Sequence, residues 1–220
     1  MKTLVIFIAI LLVSSVAYII VSFFFSLQTI EVIGANVQIV IDEKKMSKNL
    51  LFFPSDRVRK EIIADNTLLS DVRFQKKYPH TLVIVPVLRP AFARLRSVER
   101  VVLLDRDGVV LMDGDQGLAL PIIQFNLTDI RVGETITEKR VQTALALLNG
   151  LQKMFTILSI SEFDGSSLLV KAGKTDIFIA QERDVGEILA TLQTLITGFR
   201  IKGTLPAVVD LRFDKPVIKF

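Results

Sequence analysis

Hydrophobic positions in this chain fall into one unbroken block followed by shorter alternating and helical patterns. Between Lys2 and Glu31 there is no charged residue, and residues 4–25 form an apolar run of about 22 residues, where a bilayer-spanning helix needs about 20. The rival reading is a cleaved secretory signal, with Lys2 as its basic start and Ser15-Val16-Ala17 as a small-x-small cleavage site. Cleavage there would leave Tyr18, Ile19, Ile20, Val21 and three phenylalanines as a bare apolar end, so the pattern predicts an uncleaved anchor. Lys44, Lys45 and Lys48 follow the block and only Lys2 precedes it, but long domains translocate largely regardless of such charge. The expected topology therefore has residues 1–3 in the cytoplasm, residues 4–25 in the membrane and about 195 residues outside.

Beyond the block, Ile30 and Val32 alternate with Thr29 and Glu31 before Gly34, which predicts a strand closed by a turn. Residues 36–41 also read as a strand. Ser55 is the expected cap of a helix that buries Val58, Ile62 and Ile63 and ends near Asn66. Strands are expected at 71–78 and Thr81–Leu88, broken by Pro79-His80, and Pro86 implies that the second lies at an edge or carries a bulge. Further on, Val101-Val102-Leu103-Leu104 and Val109-Val110-Leu111-Met112 flank Asp105-Arg106-Asp107-Gly108 as a hairpin. Thr137 is the expected cap of a helix carrying Val141, Ala144, Leu145 and Leu148. Strands at 167–171 and 176–180 then precede a long helix capped by Asp184 and broken by Gly203 and Pro206. In the last run, residues 207–213, Val209, Leu211 and Phe213 share one face, while Asp210 and Arg212 share the other.

Charge and composition change this picture mainly by exclusion. Lys+Arg 27 against Asp+Glu 23 leaves a formal net charge of +4. Acids and bases alternate without a long like-charged run, so no nucleic-acid partner is expected. With Cys 0 and His 1, thiolate metal sites, disulfides and His-pair sites are excluded and a Ser-His-Asp triad has little to build on. A Cys-free chain also suits an oxidising exterior.

One string carries a possible chemistry. The segment from Val101 to Leu111, VVLLDRDGVVL, matches the strand plus D-x-D-G of haloacid-dehalogenase phosphohydrolases, in which the first Asp attacks phosphate and the second is an acid/base. Such a nucleophile needs a metal and a lysine supplied by later strands of an alternating β/α sheet, and that order does not follow here. A hairpin turn using Asp107-Gly108 is the simpler reading. Asp105, Asp107, Asp113 and Asp115 could suggest calcium, but Gly108 falls at the wrong loop position for an EF-hand. His80 is expected to be a turn residue.

Taken in order, three strings resemble the FtsQ/DivIB family of bacterial cell-division proteins. These are Ile30-Glu31-Val32-Ile33-Gly34, Tyr78-Pro79-His80-Thr81-Leu82-Val83-Ile84-Val85 with Arg89-Pro90-Ala91, and Val209-Asp210-Leu211-Arg212-Phe213. The 104–109 hairpin and Leu120-Pro121 are similar to the family's entry into its β domain. Leu88 stands where the family often has Glu, and Phe213 where Tyr is usual. The resemblance implies an α+β protein with one N-terminal transmembrane helix, a small POTRA-like domain at 27–95 and a mixed-sheet β domain at 96–220. It further implies a non-enzymatic divisome scaffold of the bacterial cytoplasmic membrane, located at the septum, with no cofactor. Its partners would be small bitopic coiled-coil proteins of the FtsB/DivIC and FtsL type, together with other divisome membrane proteins. On this reading the last strand has no successor and leaves backbone groups for a partner strand to extend. Asp210, Arg212, Phe213, Asp214, Val217 and Ile218 are the expected contact residues. The alternatives are an intramolecular Asp210–Arg212 pair at that position, and, for the chain, a POTRA-containing secretion or envelope-assembly protein or a membrane-tethered phosphohydrolase.

Overall fold

A computed structural model of the chain describes residues 2–34, 39–42, 46–98, 100–114 and 116–220. Among them are four helices and two sheets in an α+β arrangement, divided into the compact units Met1–Arg89 and Pro90–Phe220.

The first unit begins with helix α1 (Lys2–Phe24), the one described helix long and apolar enough to cross a membrane. Strand β1 (Thr29–Val32) follows, then helix α2 (Ser55–Asp65) and strands β2 (Leu69–Lys77) and β3 (Thr81–Leu88). The sheet order is β1-β3-β2, with β1 parallel and β2 antiparallel to β3. Val58 and Ile62 of α2 pack with Met46, Leu50, Phe53, Leu69, Val72, Leu82 and Ile84 to form the core. Arg59 ties helix to sheet by donating from Nε to the Val72 carbonyl at 3.0 Å.

Three local expectations are corrected here. Ser55 does not cap α2; Pro54 does, and its carbonyl accepts the first helical bond from the Val58 N–H at 3.1 Å. Pro86 sits in the central strand, yet β1 pairs only with Thr81 to Ile84 of β3. Beyond Ile84 one side of β3 has no described partner strand, so a residue without an N–H is tolerated. Of the strand expected at 36–41, residues 36–38 lie outside the described residues and 39–41 are not strand.

The second unit contains strands β4 (Ala93–Arg96), β5 (Val101–Leu104), β6 (Val110–Asp113) and β7 (Ile122–Gln124), then helix α3 (Lys139–Leu151). Strands β8 (Ile157–Asp164), β9 (Ser167–Ala172) and β10 (Thr175–Ala180), helix α4 (Val185–Lys202), and strands β11 (Val208–Leu211) and β12 (Val217–Lys219) complete it. All nine strands join one sheet in the order β12-β11-β10-β9-β8-β7-β4-β5-β6, with parallel pairs at β10/β11, β4/β7 and β7/β8. Strand β4 belongs to this sheet although residues 93–95 fall on the first-domain side of the expected boundary. Alternate residues such as Ile177, Ile179, Val209 and Leu211 pack against Val141, Leu145 and Leu148 of α3 and Ile188 and Leu192 of α4. Asp184 caps α4 as expected, accepting from the Glu187 N–H at 3.0 Å, and Gly203 ends it at φ 73°. Thr137 does not cap α3; the cap is Glu138, whose carbonyl accepts from the Gln142 N–H.

The β5–β6 connection explains the D-x-D-G string as structure. Asp105 is only 3% exposed, and its Oδ1 accepts from the Asp107 N–H at 3.0 Å and the Val109 N–H at 2.7 Å. Gly108 adopts φ 86°, and a Cβ there would lie 2.6 Å from Gln142 Nε2, the group that bonds the Ile136 carbonyl. The carboxylate therefore faces its own turn. Among the described residues no group of three acidic or histidine side chains could hold a metal ion, and Asp115 of the calcium reading lies outside them. Asp105→Asn, which keeps the accepting oxygen, should leave unfolding of the detergent-solubilised chain within about 1 kcal/mol, whereas Asp105→Ala should cost about 1–3 kcal/mol by orphaning buried N–H groups. Equal denaturant midpoints for the two variants would contradict this role.

Candidate partner-binding edge

A sheet must end somewhere, and the two ends of the nine-stranded sheet differ. At one end β6 is partly covered: Val110 exchanges backbone bonds with Gly133 (2.8 Å) and Glu134 (2.9 Å), and Val109 bridges Thr135. At the other end, among the described residues, β12 pairs on one side only, with Val208↔Lys219, Val209↔Ile218 and Asp210↔Val217 in register with β11.

This arrangement corrects the expectation that the 207–213 run is the terminal strand. Residues 212–215 bend, Pro216 follows, and the chain returns antiparallel, so the open edge belongs to β12. Phe213 is not on the inward face either. It lies past the end of β11, where alternation no longer governs direction, and is 58% exposed.

The six expected contact residues separate into three settings. Ile218 points with Val209 toward the core and packs against it. Asp214 is exposed in the bend, and Val217 is exposed opposite Asp210. Asp210, Arg212 and Phe213 come together in one cluster. Arg212 bonds Asp210 through Nε (3.0 Å to Oδ1) and Nη2 (2.7 Å to Oδ2), and its Nη1 lies 3.5 Å from Asp164 Oδ2. Its guanidinium also lies 5.2 Å from the Phe178 ring centroid, 5.5 Å from Phe163 and 5.7 Å from Phe213, within cation–π range. Arg212 is thus held within the molecule, while the rings around it remain partly open to solvent.

Asp164, Phe163 and Phe178 escaped the sequence reading. Strand β8 carries two register shifts, so its buried Ile157 and Ile160 stand three apart and do not alternate. The recoverable signal was Phe178 itself, on the polar face of an otherwise regular strand.

The hydrogen bonds from Arg212 hold the Asp210 carboxyl below its ordinary range, with partial burial opposing them. Asp164 is lowered chiefly by the Ser167 hydroxyl, and less by Ser166 and by the Arg212 charge. Arg212 is raised in turn by its bond to Asp210.

No family model matches this chain, and a search of curated proteins finds no match.

Both carboxyls titrate below their ordinary value of 3.8 in the folded chain. Their contribution to stability is complete above that value and is lost as pH falls through the lower folded values. Chemical unfolding between about pH 5 and pH 2 should therefore show a smaller acid-induced loss for Arg212→Gln than for the parent chain. Superimposable pH profiles would separate Arg212 from the Asp210 ionisation.

Proposed function

We propose that this chain is a non-enzymatic membrane scaffold of the FtsQ/DivIB kind, acting in divisome assembly at the septum. In this reading α1 is an uncleaved anchor with its N-terminus in the cytoplasm, the remainder of the first unit is a POTRA domain, and the second unit is the partner-binding β domain. The partners are small bitopic coiled-coil proteins of the FtsB/DivIC and FtsL type. The observation that carries the proposal is the one-sided β12, beside an exposed Val217 and an arginine set among three aromatic rings. An edge of this kind can accept a partner strand through backbone bonds, while alternate side chains supply selectivity. The order β1-β3-β2 with α2 packed on the sheet supports the POTRA assignment, and the three family-like strings support the rest.

Because the chain has Cys 0, a single cysteine reports one position. Val217→Cys carrying a photoreactive label should capture a small division protein in cells of the source bacterium, and a fluorescent fusion should collect at midcell. Met112→Cys, exposed on β6 at the opposite end of the sheet, should capture far less. A uniformly distributed fusion with no division protein captured at Val217 would overturn the proposal, and capture of secretion components would favour the envelope-assembly alternative.

A further inference from the structure

The carbonyls at the end of α1 pose a physical problem. A helix leaves its last carbonyls without intrahelical donors, and any that still lie inside the hydrocarbon layer have no water to take their place. In this chain the first unit supplies donors directly. Asn49 donates from Nδ2 to the Ser22 carbonyl at 3.4 Å, and Leu50 donates from its N–H to Phe25 O at 2.8 Å. Leu27 then donates to Lys48 O at 2.8 Å, while Gln28 and Thr29 donate to His80 O. His80 Nδ1 lies 3.1 Å from Ser26 O. No free linker separates helix from sheet.

If residues 4–25 fill a hydrocarbon layer of about 30 Å, the groups bonded to Ser22 and Phe25 lie at its outer boundary. The side chains found there suit that place. Phe52 is 61% exposed and Tyr78 54% exposed, and neither belongs to the core of the unit. The Tyr78 ring meets Phe25 edge-on at 5.5 Å, and Phe25 meets Phe24 at 5.2 Å. Lys48 is exposed on the same loop, and Lys76 donates to the Leu51 carbonyl at 3.2 Å. The nearby acid Glu31 is paired with Lys77 at 2.9 Å. Exposed aromatic rings flanked by amines are the composition of a membrane–water interface.

We propose that the first unit is seated on the bilayer surface, with the Leu51-Phe52 loop and the β2–β3 turn around Tyr78 inserted at headgroup depth. The occupant of this aromatic face is lipid. This seating rests on α1 being an uncleaved anchor, and the membrane in which that helix ends is the surface that the face meets.

The chain has Trp 0, so single tryptophans report depth without background. Full-length Phe52→Trp, Tyr78→Trp, Leu88→Trp and Tyr18→Trp chains would be reconstituted in vesicles of equal parts phosphatidylcholine and phosphatidylglycerol, with and without lipid brominated high on the acyl chain. Leu88 is exposed at the far end of β3, roughly 23 Å from Thr81 by strand rise. Brominated lipid should lower emission about twofold or more for Phe52→Trp and Tyr78→Trp, with blue-shifted spectra, and should leave Leu88→Trp unchanged. If Tyr18→Trp is quenched while Phe52→Trp and Tyr78→Trp behave like Leu88→Trp, the seating is overturned and the anchor stands. An unquenched Tyr18→Trp chain that alkaline carbonate strips from the vesicles would overturn the anchor and the seating together.

Discussion

Backbone polar groups need partners wherever water is excluded, and that requirement organises both units of this chain. At the end of α1 it is met by the loop around residues 48–52, with Asn49 donating to the Ser22 carbonyl of the helix and Leu50 to that of Phe25 just past it. In the second unit it is met by strand pairing across nine strands, until β12 is reached. One edge of that sheet is partly covered by the 133–136 segment, and the other, among the described residues, ends in three residues paired on one side. A short edge strand with Lys219 upon it resists promiscuous pairing and can still receive a partner of the right register.

The cluster beside this edge shows how one arginine can serve a surface without being free. Two carboxylates fix the guanidinium in position, and three rings lie within cation–π distance. In the proposed scaffold, Arg212 is better described as the post that orients Phe163, Phe178 and Phe213 than as a charge awaiting an acidic partner. Aromatic and arginine side chains carry a large share of binding energy at protein interfaces, and pre-ordering lowers the entropy lost on contact. The D-x-D-G string illustrates the reverse case, a motif with catalytic looks whose first aspartate is consumed by its own turn.

Much of the fold was legible because local patterns agreed with it. The apolar block, the alternation in β1 and β11, the Asp184 cap and the Gly108 turn each rest on interactions within a few residues, which a sequence exposes directly. What was missed has a common cause. Strands β7 and β12 are only three residues long, too short for alternation to declare itself, and β8 breaks its own period with bulges. The caps of α2 and α3 were misplaced because Pro54 and Glu138 supply carbonyls to the first turn, a backbone role that side-chain preference does not report.

The candidate site divides along the same line. Sequence by itself determined that Val209 and Leu211 bury one face of a late strand and that Asp210 faces away from it, since a period of two fixes direction, whereas Arg212 lies in the bend just past that strand. Tertiary structure alone decided that this strand is internal, that β12 is the edge, and that Asp164, 48 residues from Arg212, joins the ion pair. Such contacts depend on which strands become neighbours in the sheet, and strand order follows from the packing of α3 and α4 over the whole core rather than from any local run of residues.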